Sequence, residues 1–89
     1  MTNFTIVGNV LEKPTVEVSK NGSSYIKLRI KVKENELYEI FAWNSLAEET
    51  YEKGKLVCIS GRLQANNYEK DNNIYFNARF VAEKIDFYS

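Results

Sequence analysis

The sequence contains no histidine and only one cysteine among its 89 residues. A single thiol cannot form an intrachain disulfide, and a chain without histidine offers neither the common nucleophile and base pair nor a zinc-ligand spacing. Cys58 lies in the apolar run LVCIS, which predicts a buried and unreactive thiol. We therefore expect that the protein is not an enzyme and that it holds no metal and no cofactor.

Long apolar runs are also lacking. No segment has the roughly 20 apolar residues of a transmembrane helix, and the N-terminus shows no signal-peptide pattern. We therefore expect a cytoplasmic protein that makes no contact with a membrane. Its 89 residues suit one small domain, which buries roughly 60% of the surface that the unfolded chain exposes.

Neither sign of charge is in excess, since 12 Lys and Arg residues balance 12 Asp and Glu residues. The sum gives no overall field that would attract a nucleic acid. The charges are nevertheless polarised along the chain, because residues 1–33 contain six cations and two carboxylates, whereas residues 34–54 contain one cation and six carboxylates. The first segment therefore carries a net +4 and the second a net −5.

Alternating apolar and polar residues predict β-strands over most of the chain. The first runs, NFTIVGNVL and KPTVEV, lead to an Asn21-Gly22 pair, which is the strongest short hairpin signal. The second strand, YIKLRIKVK, then has two distinct faces. Its predicted core face comprises Ile26, Leu28, Ile30 and Val32. Its outward, strongly basic face comprises Tyr25, Lys27, Arg29, Lys31 and Lys33.

The third predicted strand, ELYEIFAWN, follows a short turn at residues 34–36. On a regular strand its Phe41 and Trp43 point to the face opposite Ile40 and Ala42. Ile40 and Ala42 suit a core, so the pattern predicts that the two aromatic rings lie on the outer face.

An acidic helix of about two turns is predicted directly after this strand. Ser45 and Glu48 have the spacing of a capping box, and Gly54 supplies a stop signal. The side of the helix that would face the core comprises Leu46, Ala47 and Tyr51.

Two further strands complete the predicted order. The fourth is KLVCISGRLQANNY, the polar turn EKDNN follows it, and the fifth is IYFNARFVAEKIDFY. One face of the fifth strand comprises Phe76, Ala78, Phe80 and Ala82. Five strands with one short helix between strands 3 and 4 predict an all-β fold, a five-stranded OB-fold barrel.

Four stretches in order resemble bacterial single-stranded DNA-binding proteins. VGNVLEKPTVEV is similar to the opening of that family, NGSSYIKLRIKV to its second strand, and WNSLAEETYEKGKLVCISGRL to its helix and fourth strand. DNNIYFNARFVAEKIDF is similar to its last strand. The resemblance covers nearly the whole chain and implies a barrel that binds single-stranded DNA without strict sequence choice.

The resemblance also implies which residues make the contacts. Bases would stack on aromatic rings and cations would follow the phosphates. Trp43 occupies the position of a stacking aromatic just before the family's helix, and Tyr68, seven residues after Gly61, matches a second one. Phe41 shares the outward parity of Trp43, and Tyr75 is an additional ring. The phosphate contacts are expected from Lys27, Arg29, Lys31, Lys33, Arg62 and Arg79.

The same residues also have interpretations that involve no ligand. A lone tryptophan beside a helix start is commonly packed in the protein, and Tyr68 suits an ordinary hairpin tip. Phe41 also suits a subunit contact. A stripe of Lys and Arg on a strand is commonly a solvated face.

The sequence departs from the family pattern at several positions. Leu37 stands where an aromatic is common, Glu39 where a basic residue is common, and Gln64 and Asn66 where cations alternate. The turn at residues 34–36 replaces a longer loop that carries another stacking aromatic in many members. The chain ends just after the predicted barrel, so we expect no acidic C-terminal tail for recruiting replication proteins.

Three functions are compatible with this sequence. The first is single-stranded DNA binding in replication, recombination or repair. The second is a protein-binding OB module that resembles primosomal replication protein N. The acidic stretch from Glu34 to Glu52 would suit a basic protein partner of such a module. The third is an RNA-binding or structural barrel. The family resemblance implies a homo-oligomer, a dimer or tetramer, with Thr2 to Val10 at the contact.

Overall fold

Residues 2–65 and 67–88 are described by a computed structural model of the chain. Within these two ranges, eight strands and one short helix form in the order β1 Asn3–Val10, β2 Glu17–Val18, β3 Ser24–Lys33, β4 Glu36–Trp43, a 3-10 helix Asn44–Glu48, β5 Leu56–Ala65, β6 Tyr68–Lys70, β7 Asn73–Tyr75 and β8 Ala78–Phe87. No helix in the described ranges is long and apolar enough to cross a membrane. Asn66, a position at which the sequence departs from the family's pattern, lies outside the described residues.

Five strands close the barrel in the order β1-β5-β8-β4-β3, with β1 pairing back onto β3 at Asn9 and Val10. The β4–β8 pair is parallel and the other pairs are antiparallel. The short β2 adds to the start of β3. The predicted OB-fold barrel is confirmed, because one short helix separates the third and fourth barrel strands, β4 and β5.

The core comes mainly from one parity of β1, β3, β4 and β5. Ile26 and Leu28 of β3 lie opposite Ala42 and Ile40 of β4, and these four side chains and that of Ile30 are buried. The core also takes Ile6 and Val10 of β1 and Val57 and Ile59 of β5. Two glycines allow the strands to approach closely. A Cβ on Gly8 would lie 2.6 Å from the Lys31 carbonyl oxygen, and one on Gly61 would lie 2.0 Å from the Val81 carbonyl oxygen.

A β-bulge at Val32 corrects the predicted core face of β3. A two-residue turn pairs Lys33 with Glu36, and continuing that register would set core residues of β3 against outward residues of β4. The register instead shifts by one between Lys31 and Lys33, so that Leu28 lies opposite Ile40. Val32 is the extra residue, and it is 39% exposed rather than buried.

The predicted capping box does not form. The helix is a single 3-10 segment whose cap residue is Trp43, with no side-chain hydrogen bond at the cap. Asn44 takes a positive φ of 55° and already begins the helix, so Ser45 lies inside the first turn rather than before it. The helix also ends at Glu48, well before Gly54. The predicted inner side is confirmed for Leu46 and Ala47, whereas Tyr51 is buried as predicted but lies beyond the end of the helix.

The fifth predicted strand is divided in two. Residues 73–75 form the hairpin partner of β6, through a turn at Asp71 and Asn72 with φ of 53° and 65°, which are the positive values of a type I′ turn. Barrel strand β8 begins only at Ala78. Phe76, predicted to share the face of Phe80 and Ala82, lies outside both strands and is 81% exposed.

The single thiol is half-buried rather than buried. Val57 and Ile59 point into the barrel, so the intervening Cys58 points outward, where it lies opposite Val7 of β1. The apolar run LVCIS predicted burial of Cys58, but a strand at the barrel wall buries only alternate residues.

Candidate nucleic-acid interface

Three aromatic side chains form a row on the outer face of β3 and β4. Tyr25 lies directly opposite Trp43, and the next outward pair is Lys27 opposite Phe41. The ring centroid of Tyr25 lies 4.7 Å from that of Trp43 and 6.2 Å from that of Phe41. We call Tyr25, Phe41 and Trp43 the aromatic row. All three side chains are half-buried, so part of each ring system stays accessible to a ligand.

Strand parity explains why the aromatic row faces outward. Ile40 and Ala42 are completely buried between the half-buried Phe41 and Trp43. Residues directly opposite in an antiparallel pair share a face, so Tyr25 joins the face that Trp43 occupies. The predicted outward orientation of Phe41 and Trp43 is thus confirmed, whereas their contact with a base stays a prediction.

Two cations border the aromatic row. The Lys27 Nζ lies 6.0 Å from the Phe41 ring centroid, and the Arg79 Cζ lies 4.8 Å from it. Arg79 comes from β8, which runs parallel to β4 at this point. Both distances are within the range of a cation–π contact. The Arg79 guanidinium therefore covers part of the Phe41 ring.

Three shallow grooves meet at the aromatic row and follow one another across the barrel wall. The central groove is bordered by Tyr25, Lys27, Phe41, Trp43, Arg79 and Lys20. On the far side of Trp43 lies a second groove, bordered by Arg62 and Gln64. On the far side of Phe41 lies a third, bordered by Leu37 and Glu39. Trp43 and Phe41 are thus the two ridges between three adjoining depressions.

Several predicted phosphate contacts are already paired with carboxylates. The Arg29 Nη1 lies 2.7 Å from Glu12 Oε1, and the Arg29 Nε lies 3.3 Å from Glu39 Oε2. The hydrogen bond to Glu12, followed by that to Glu39, raises the pKa of Arg29 above its usual value. Weaker pairs join Lys33 to Glu36 at 3.4 Å and Arg62 to Glu83 at 3.7 Å.

Tyr68 and Tyr75 form a separate aromatic pair on the β6–β7 hairpin. They lie directly opposite each other, with ring centroids 5.1 Å apart and planes inclined by 18°. Both side chains are exposed. The hairpin forms its own two-stranded sheet rather than part of the barrel sheet, so these rings are an extension of the surface and not members of the aromatic row.

The structure brings together four of the residues that the sequence predicted for binding, namely Phe41, Trp43, Lys27 and Arg79. It places Arg62 beside the neighbouring groove. Tyr25 is the residue that sequence reasoning missed. Its outward parity was visible in the pattern of the second strand, but its contact with Trp43 depends on the β3–β4 register and therefore on the bulge at Val32.

Metal ligation finds no support in the described part of the chain, where no three His, Cys, Asp or Glu side chains converge. The surface offers aromatic faces, cations and shallow grooves. These groups bind a ligand through stacking and charge rather than through a coordination sphere.

One comparison with known proteins identifies a family. The model of the single-strand binding protein family matches residues 1–88, which is nearly the whole chain. No curated protein matches the chain.

Proposed function

The chain belongs to the single-strand binding protein family, and from this premise we propose that its residues 1–89 form one domain that binds single-stranded DNA largely without sequence specificity. Bases stack on the aromatic row, and Lys and Arg side chains contact the phosphates. Every base has a π-face, so stacking is worth roughly 1–3 kcal/mol for each base whatever its identity.

The observation that carries the proposal is the continuity of Tyr25, Phe41 and Trp43 with Lys27 and Arg79 on one outer face. A single strand needs aromatic faces at intervals and cations beside them. An aromatic row made only for packing would be buried, whereas these rings border open grooves on both sides of Trp43.

The grooves support a path for the strand. It enters beside Arg62, crosses Trp43 into the central groove and continues past Phe41. Lys31 and Lys33 extend the basic side of this path along β3, with Arg29 between Lys27 and Lys31. Tyr68 and Tyr75 offer two further rings on the β6–β7 hairpin. These residues extend the interface beyond its centre.

In the cell, we assign the protein to the cytoplasm and to replication, recombination or repair, where single strands are exposed. It acts as a homo-oligomer that uses the N-terminal strand as its contact. A second candidate function is a module that acts mainly through protein partners, as in the resemblance to primosomal replication protein N. The exposed carboxylates of Glu48, Glu49 and Glu52 favour a basic partner for that function.

Gel-shift titrations with three probes test the proposal. Oligothymidylate, a single-stranded RNA of the same length and a DNA duplex are each titrated with the protein at low salt. The proposal expects the tightest binding to single-stranded DNA and the weakest to the duplex, whose bases are already stacked on one another. Equal binding to RNA would favour an RNA-binding barrel, and no shift with any probe would favour the partner-binding module.

A further inference from the structure

Arg29 occupies the outward position next to Lys27 on β3, but the two cations differ in their ion pairs. Two carboxylates bind the guanidinium of Arg29, whereas Lys27 has no ion pair among the residues that the structure describes. We propose that Glu12 and Glu39 compete with DNA phosphate for Arg29 and thereby hold the affinity of this surface down. This inference rests on the proposed function, since it describes how the same interface is tuned.

The two carboxylates reach Arg29 from opposite sides. Glu39 lies directly across the β3–β4 ladder from Arg29, so the strand register fixes that pair. Glu12 comes from the loop after β1, where the backbone N–H of Leu11 donates to the Arg29 carbonyl at 2.9 Å. That hydrogen bond holds the loop beside Arg29. Both competing groups are thus positioned by backbone structure and not only by flexible side chains.

The two contacts use different nitrogens of the guanidinium, Nη1 for Glu12 and Nε for Glu39. An arginine that binds phosphate in a bidentate manner presents two N–H groups at once. Here two of its five N–H groups are already donated to carboxylates. A phosphate that approaches the three remaining N–H groups therefore also approaches two carboxylates, which repel it.

The net charge of Arg29, Glu12 and Glu39 together also repels a phosphate. One guanidinium and two carboxylates sum to −1, although the strand pattern alone would count Arg29 as part of a basic stripe. The side chains of Arg29, Glu12 and Glu39 are 52%, 57% and 42% exposed, respectively. Solvent screens such pairs, so the carboxylates compete with phosphate without excluding it permanently.

Lys27 and Arg79 provide the contrast. Both cations lie near the ring of Phe41, and the described residues include no carboxylate paired with either of them. A phosphate that reaches the aromatic row meets their charge directly. The strand is therefore drawn to the Phe41 side of the surface, and the position of Arg29 contributes little until its carboxylates are neutralised.

The test is a double variant that neutralises both carboxylates, Glu12→Gln with Glu39→Gln, titrated with oligothymidylate at several salt concentrations. Released Arg29 should lower Kd by roughly two- to fivefold at low salt, the fold-change that corresponds to one exposed ion pair. It should also steepen the fall of log K with log salt by about 0.7, the value for one more phosphate neutralised on a single strand. Thermal melting checks that the variant stays folded.

A matched control separates release of Arg29 from a general gain of charge. Glu48→Gln with Glu52→Gln changes the net charge by the same amount at exposed positions that border none of the three grooves. We expect this control to bind like the wild type. In addition, Arg29→Gln should remove the gain when it is added to the Glu12→Gln, Glu39→Gln variant.

The outcomes distinguish this inference from the function on which it rests. A wild type that binds no oligothymidylate overturns the proposed function and the inference with it. A wild type that binds, together with a double variant no tighter than the control, overturns the inference alone. A gain that persists after Arg29→Gln has the same consequence, because the carboxylates would then act by general repulsion and not through Arg29.

Discussion

Tyr25 and Trp43 lie directly opposite each other across the β3–β4 ladder, with ring centroids 4.7 Å apart and planes inclined by 31°. Both residues border the central groove, and Trp43 also borders the groove beside Arg62. Trp43 is also the only indole of the chain. Its fluorescence therefore reports directly on what binds at this pair.

Oligothymidylate should quench the Trp43 fluorescence strongly and saturably, and added salt should partly reverse the effect. Duplex DNA should have little effect, because its bases are not free to stack.

Trp43→Ala should stay folded and lose roughly 1–3 kcal/mol of binding free energy, measured by gel shift. Tyr88→Ala removes an exposed ring that borders none of the grooves and should bind like the wild type. If Trp43 were a core residue, Trp43→Ala would instead lose about 3–5 kcal/mol of stability and quenching would be weak.

The salt dependence of binding should come mainly from the cations that are not paired with carboxylates. Replacing Lys27 and Lys31 together by Ala should flatten the plot of log K against log salt, by about 0.7 for each phosphate contact removed. Lys53→Ala, which removes a lysine from the loop before β5, is the control and should leave the slope unchanged. An unchanged slope in the Lys27, Lys31 variant would place the phosphate path elsewhere on the barrel.

The open edge of β1 should mediate self-association. The Val10 N–H donates to the Lys55 carbonyl and the Leu63 N–H donates to the Thr2 carbonyl. The even-numbered residues of β1 therefore form the backbone hydrogen bonds to β5. Odd-numbered residues such as Thr5 direct their backbone groups to the other edge. Among residues 2–65 and 67–88, only Asn9 and Val10 of β1 pair with a strand on that edge.

Thr5→Pro removes one N–H from this edge and should leave the β1–β5 ladder intact. Sedimentation velocity at micromolar concentration should then show a shift toward the 10.3 kDa chain, whereas Thr50→Pro, a loop substitution of the same type, should not. A wild type that sediments only as a 10.3 kDa species would rule out assembly through this edge.

Tyr51 should make the stability of the barrel fall at high pH. Burial, followed by the nearby Glu49 charge, raises the pKa of Tyr51 from 10.0 to about 12. Below pH 10 the phenol is protonated in both states, so its contribution is complete. Between pH 10 and 12 the unfolded state releases the proton while the folded state retains it, so the free energy of unfolding falls by roughly 2–3 kcal/mol.

Tyr51→Phe should lack this contribution to the pH dependence. Urea unfolding of both proteins at pH 8 and at pH 11.5 provides the measurement, and the difference between them isolates Tyr51 from the other groups that titrate. The variant should also be less stable at pH 8, because the Tyr51 hydroxyl donates a hydrogen bond of 2.6 Å to the Leu46 carbonyl. Identical pH dependence of stability in the two proteins would show that Tyr51 does not cause the fall at high pH.

Local pattern was sufficient for the barrel strands and for the orientation of the central aromatic residues. Alternation in β3 and β4 depends only on the period of a strand, so burial of Leu28 and Ile40 and the outward position of Trp43 follow from neighbouring residues. The same reasoning predicted the order of the barrel strands. It was wrong at Ser45, because the helix begins at Asn44, two residues before the start that a cap at Ser45 implies.

Register and long-range charge pairing were decided only by the tertiary structure. The pattern places Tyr25, Lys27 and Arg29 on one face, but it does not say which residue lies across from each. The bulge at Val32 sets Tyr25 against Trp43 and Arg29 against Glu39. The loop after β1 brings Glu12 to the same guanidinium from 17 residues away. The sequence by itself thus determined a barrel with an outward face of aromatics and cations, because strand alternation is local. Which of those cations meet a carboxylate was decided by closure of the barrel, because pairing between strands joins residues that are distant along the chain.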